Sequence, residues 1–416
     1  MSTTEPVRAV AEERARAGYG RLLALLSSAT NDIAAAEDAL ADAFERALRT
    51  WPESGIPANP DAWLLTVARN RLRDRWKSAE HTRTQQLDPL EPEAGAMPHV
   101  LEDLDPDAIP DRRLELMLVC AHPAIAANAR TALMLNTVLG FTAEQIARAY
   151  AVPAPTMSTR LTRAKSRIKA AHIPFRIPDR SDLPDRLDTL LEAVYAAYTI
   201  EWSTGPEASG LPPEGLQLAQ VLAELLPRDA EVRGLAALVD LSAARRAART
   251  DHAGRFVPLA QQDPSRWNRA LVDRGRAHLA AAHGLGQLGR FQLEAAIQAL
   301  HCARIDGAEP DPALLLELHR ALVDIAPSLG AFTALASVTA DVDGPNAGLA
   351  VLDSRIGPGD TASRYQPAWV TRAHLLARAG RHADAVTALD KGLSLTHDPA
   401  HRAYLEGLRL EWSTAG

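Results

Sequence analysis

Residues 141–176, FTAEQIARAYAVPAPTMSTRLTRAKSRIKAAHIPFR, constrain this chain more than any other stretch. No Asp or Glu falls between Glu144 and Asp179, while Arg160, Arg163, Lys165, Arg167 and Lys169 crowd one helical pattern. Two short helices around a turn, the second one basic, have the shape and charge of a helix-turn-helix whose second helix enters a DNA major groove. The whole chain carries a formal net charge of −7, so a basic island needs a local reason.

The chain has 416 residues, of which 47% are hydrophobic and only 5% aromatic. Ala and Leu dominate, which favours helices and predicts an all-α fold in several domains. The two cysteines, Cys120 and Cys302, lie far apart and show no disulfide or metal-ligand spacing. We expect a reducing, cytoplasmic setting, with no metal and no cofactor. The start, MSTTEPVRAVAEERARAG, is charged throughout. No apolar run approaches the roughly 20 residues of a membrane span, so no membrane partner is expected.

The first block spans 8–80. Helical patterns cover Ala17–Leu26 and Ile33–Leu48, and Ala36, Leu40, Phe44 and Leu48 recur every four residues as an apolar stripe. The segment WPESGIPANP (51–60) reads as a loop because it holds three prolines and a glycine. Asp61 is the expected cap of the long helix that follows, AWLLTVARNRLRDRWKS. Residues 81–110 form a linker, acidic and proline-rich from 85 onward, and such a stretch has too little to bury to fold, so it is expected to be flexible. The second block, 111–178, is helical, ends in the helix-turn-helix, and is closed by Pro174 and Pro178.

The third block, 181–416, reads as successive helices of about 12–16 residues joined by Gly/Pro turns. Residues 368–395 fit one tetratricopeptide repeat: Gly380 separates two helices, and Ala385, Leu389 and Leu393 share a face. A second pair near 268–303 looks similar, so a helical-repeat, tetratricopeptide-like domain is expected.

Blocks one and two resemble a bacterial RNA polymerase sigma factor of the extracytoplasmic-function type. Region 2 of that family is matched by DIAAAEDALADAFERAL (32–48) and NPDAWLLTVARNRLRDRWK (59–77), and region 4 by residues 111–178. CAHPAIAANARTAL, IPFRIP, SRWNRAL, GRFQLEAAI and DGPNAGLAVLD resemble a subgroup with a long helical C-terminal extension.

The resemblance implies partners and site residues. The helix 36–48 would dock on core RNA polymerase through Asp38, Leu40, Asp42, Phe44, Glu45 and Arg46. Trp63, Arg69, Asn70, Arg73 and Arg75 would serve the −10 element of promoter DNA, with core packing favoured over base stacking for Trp63. Pro155, Thr156, Ser158, Thr159 and Arg160 would reach base edges of the −35 element. Arg163, Lys165 and Arg167 would hold phosphates. A protein regulator would act on the C-terminal helical domain. The chain departs from the family at Ala41 and Ser158, and in YAAYTIEWS (195–203) and LGAFTALASV (329–338).

An enzyme fits poorly. His301 and Cys302 are adjacent on a helix and so point in different directions. No phosphate-cradling loop, HExxH, GxSxG or CxxC occurs. The alternative is a helical-repeat interaction protein whose sigma-like front end no longer initiates transcription.

Overall fold

The computed structural model describes residues 19, 20, 22–27, 29, 30, 32–84, 109–171, 184–203, 214–355 and 360–414. Among these residues the fold is all-α, with no strand and one isolated bridge between Thr250 and Phe256. Most of the expected linker, the IPFRIP ending and the Lys169 side chain lie outside the described residues. The chain divides into two compact units, Met1–Ala197 and Tyr198–Gly416.

In the first unit, α1 (Ile33–Ser54) packs along α2 (Pro60–Thr84). Asp32 caps α1, its carboxylate accepting from the Ala35 N–H at 3.1 Å. Ala36, Leu40, Ala43, Ala47 and Trp51 are buried on one stripe of α1, against Leu64, Leu65, Ala68 and Leu72 of α2 and Leu22–Leu26 before α1. The alanines let the two helices approach closely.

Two expectations fail here. Residues 51–54 are helical, because Trp51 is 1% exposed and its ring meets Trp63 edge-on at 5.4 Å. Pro52 sits in the last turn of α1, where its missing N–H costs a single helical bond. The loop is therefore only 55–59, opened by Gly55 at φ 82°. Asn59, not Asp61, caps α2: its side chain accepts from the Ala62 N–H at 3.0 Å, and Pro60 takes the first helical position, where no donor is needed.

Four further helices form a small bundle in the same unit: α3 (Ile109–Cys120), α4 (Ala127–Thr137), α5 (Ala143–Ala149) and α6 (Ala154–Ala170). Thr142 and Gln145 make a reciprocal capping box at the start of α5. The turn to α6 places Ala151 at φ 51°, a left-handed conformation that strains any side chain. Met157, Leu161, Ala164 and Ile168 are all buried, so α6 turns one apolar stripe inward and leaves the rest open.

Helix α7 (Pro184–Ser203) contains the break between the units. The second unit continues with α8 (Glu214–Leu225), α9 (Ala230–Ala243), α10 (Arg269–Gly284), α11 (Arg290–Cys302), α12 (Pro312–Ile325), α13 (Leu329–Asp343) and α14 (Pro345–Arg355). It ends with α15 (Asp360–Ser363), α16 (Gln366–Arg378), α17 (His382–Ser394) and α18 (Pro399–Thr414). Neighbouring helices pack in succession. Gly380 turns between α16 and α17 at φ 74°, and Ala385, Leu389 and Leu393 are buried.

The succession is interrupted at 244–268, where 3-10 turns and the Thr250–Phe256 bridge replace α-helix. Pro258 and Pro264 exclude a continuous helix there. Arginine side chains supply the missing donors. Arg266 donates to the Thr250 carbonyl at 2.8 Å and the Ala247 carbonyl at 2.5 Å; Arg304 donates to Leu259 at 2.9 Å and Gln262 at 3.1 Å.

Candidate functional site

Two surfaces of the first unit collect most of the expected site residues. The first is a groove of about 350 Å³ between α1 and α2, lined by Asp42, Glu45, Arg46, Arg49, Val67, Asn70, Arg71 and Asp74. It joins residues expected to dock on polymerase to Asn70, expected to touch DNA. Arg49 and Arg71 were missed, although 42, 45, 46 and 49 share one helical face, as do 67, 70, 71 and 74.

Charges in this region are tied across the helices. Arg71 Nε lies 2.6 Å from Asp42 and Arg75 Nη1 lies 3.2 Å from Asp38. Both pairs are solvent-exposed, so each is worth about 0–1 kcal/mol and is readily exchanged for an external partner. Arg69 and Arg73 are half-buried, and burial first, then the neighbouring Arg73 charge, hold the Arg69 guanidinium below its ordinary pKa. Two cations on one stripe of α2 favour an anion beside them.

The structure corrects one docking residue. Leu40 is 0% exposed in the bundle core and cannot meet a partner. Its position follows the Ala36–Leu40 stripe, which faces inward because α2 and the preceding helical segment cover it. Phe44 is half-buried and stacks on Tyr19 with ring centroids 6.2 Å apart. Trp63 is half-buried against Trp51 and packs on the core, which favours a structural role over base stacking.

The second surface is the outer face of α6. Pro155, Thr156, Ser158, Thr159, Thr162, Arg163, Ser166 and Arg167 are exposed. Thr162 and Ser166 extend the expected row; the spacing 155, 158, 159, 162, 166 carried the signal. Thr159, Thr162 and Ser166 donate back to carbonyls four residues earlier, at 3.0, 3.0 and 3.1 Å. Arg160 is half-buried, and among the described residues neither it nor Arg163 has an ion-pair partner.

Two expected phosphate ligands are otherwise engaged. Arg167 donates to the Ala124 carbonyl at 3.3 Å. Lys165 turns off the open face and meets Glu37 of α1 at 2.5 Å, with both side chains about one-fifth exposed (22% and 21%). In the core behind this pair, burial pushes the Cys120 thiol up to about 12.

Ile146 and Ala147 of α5 are buried, whereas Tyr150 at its C-terminal end is 37% exposed. His301 and Cys302 do not form a reactive pair. The Cys302 thiol donates to the Leu241 carbonyl at 3.5 Å, and burial, reinforced by Arg245, lowers the His301 pKa to about 4. Among the described residues no cluster of His, Cys, Asp or Glu is able to hold a metal. Among the described residues no helix is long and apolar enough to cross a membrane.

The groove and its bundle coincide with a sequence match. The sigma-70 region 2 family matches residues 15–82, so the front of this chain is a sigma-70 region 2 domain. That domain supports a sigma factor acting with core RNA polymerase and promoter DNA. Residues 186–283 match a family of unknown function, DUF6596. An uncharacterized protein of Rhizobium meliloti (strain 1021) is 34% identical over 385 residues, covering 89% of this chain and 88% of its own length. The chain belongs to the same family as that protein. No solved structure matches it.

Proposed function

We propose that this chain is a sigma factor of the extracytoplasmic-function type that binds core RNA polymerase and directs promoter-specific initiation. The observation that carries the reading is the groove between α1 and α2, lying within residues that match region 2. Asp38, Asp42, Glu45 and Arg46 supply charges that set register against polymerase helices, with Phe44 at the apolar edge. The exposed ion pairs Asp38–Arg75 and Asp42–Arg71 exchange partners on docking, which frees both arginines for promoter phosphates.

Arg69, Asn70, Arg73 and Arg75 then hold the −10 element. Melted bases are captured one at a time in pockets and on flat groups, and the cations hold the backbone meanwhile. Residues 111–178 act as region 4. The N-terminal end of α6, with Pro155, Thr156, Ser158, Thr159 and Arg160, reads base edges of the −35 element. Arg163 and Thr162 hold phosphates. The helical domain 181–416, tetratricopeptide-like, modulates activity through a protein partner.

The test is a fluorescence titration of the full chain with bacterial core polymerase. Saturation at one-to-one, weakened at least tenfold by Asp38→Lys with Asp42→Lys, supports the reading. No saturable binding removes it.

A further inference from the structure

One buried charge of the second unit lacks a counter-ion. Arg245 follows the end of α9 and is 6% exposed. It donates through Nη2 to the neutral side chain of Gln298 on α11, and its Nε is buried without a hydrogen-bond partner. Among the described residues no Asp or Glu pairs with it; its neighbours are Cys302 and Tyr198. Burial raises the pKa of that thiol and of that phenol, so both are neutral near pH 7 and neither supplies the missing charge. A guanidinium shut away from water is costly unless an anion meets it.

The surroundings suit an anion. Burial raises the Tyr198 phenol, and the charges of Arg245, Arg246 and Arg249 pull against that rise, so three guanidinium groups stand within electrostatic reach of one buried tyrosine. Arg249 is engaged: it donates to the Trp202 carbonyl, lies 4.2 Å over that ring, and faces the opposing charge of Asp398. On α11 and α12, burial lowers His301 and His319 to about 4, so neither adds charge near pH 7. Arg246, Gln298 and His301 are half-buried, which gives the cluster an edge reachable from solvent.

We propose that Tyr198, Arg245, Arg246 and Gln298 form a binding site for a phosphate group, free or carried on a small metabolite. A phosphate monoester carries a charge of about −1.5 to −2 and three acceptor oxygens, which answers this concentration of cations better than a carboxylate does. The planar fork of Arg245 meets two of those oxygens, with Nε–H as the waiting donor. With its Oε1 taken by Arg245, Gln298 has its amide N–H donors left for the anion. Tyr198, Arg245 and Arg246 lie within the stretch that matches DUF6596, so the site gives that stretch a small-molecule role beside the protein contact proposed above. It stands whether or not the chain is a sigma factor.

The experiment titrates the full chain by calorimetry with inorganic phosphate, adenosine monophosphate and acetate at constant ionic strength. Phosphate saturates at one-to-one with a Kd of about 1 mM or tighter, and acetate binds at least about tenfold more weakly. Tighter binding of adenosine monophosphate than of phosphate assigns the site to a metabolite, and the reverse order to the free ion. Arg245→Met abolishes the binding, while the phosphate-free variant unfolds at the same temperature as the parent or higher, because an unpaired buried cation gives way to an apolar chain. Arg246→Ala, at a half-buried position, weakens phosphate at least about fivefold and keeps the fold. No saturable phosphate binding by the intact chain, or undiminished binding in both variants, overturns the proposal. An Arg245→Met chain that unfolds early, from a parent indifferent to phosphate, shows a purely structural arginine and overturns it too.

Discussion

Along α6, Arg160 and Arg163 carry no ion-pair partner among the described residues. In the second unit, four arginines are turned on the backbone itself. Arg249 donates to the Trp202 carbonyl and lies 4.2 Å over that indole ring. Arg266 and Arg304 brace the irregular segment 244–268, and Arg402 donates to the Leu393 and Thr396 carbonyls at 3.0 and 2.6 Å. The same residue type thus satisfies backbone at these positions of the second unit and presents open charge at Arg160 and Arg163 of α6. Arginine serves both uses because its planar fork meets two carbonyls as well as it meets phosphate.

The largest break in this contrast comes at Asp240, which is fully buried and accepts from Arg274 at 2.6 and 2.8 Å and from Gln220 at 3.1 Å. Asp240→Ala removes that acceptor and should destabilise the second unit by about 2–3 kcal/mol, less than for a stranded buried charge because Arg274 is 44% exposed and turns to water, read as an earlier urea transition. Arg304→Met frees two carbonyls and should cost about 1–3 kcal/mol in the same assay, without touching DNA binding.

On α6 the effects reverse. Arg160→Ala should weaken binding to a cognate −35 duplex by about 1–3 kcal/mol while stability stays nearly level. Equal weakening on every sequence would make Arg160 a phosphate contact. Arg163→Ala should reduce the slope of log affinity against log salt by about 1. The smallest effect is expected at Ala151→Gly, which relieves a left-handed alanine and should stabilise the first unit by up to about 1 kcal/mol in thermal unfolding.

Much of α6 was legible because Met157, Leu161, Ala164 and Ile168 repeat at helical spacing and leave the polar row by default. The inward placement of Leu40 was less legible, since a stripe on an amphipathic helix looks alike whether it meets the core or a partner. Trp51 misled for a related reason. Proline density argued for a loop, yet burying one indole outweighs the bond that Pro52 removes. The Glu37–Lys165 pair was invisible because pairing across 128 residues leaves no periodic trace. The irregular segment 244–268 owes its shape to distant side chains, which local propensity does not carry.

Promoter-directed initiation is tested by transcription by core polymerase with and without the purified full chain on a pool of promoter-length DNA. Transcripts should depend on the chain and start downstream of two shared sequence elements. Those transcripts should be lost with Arg69→Ala and Arg73→Ala together. A pool transcribed equally with and without the chain would contradict it.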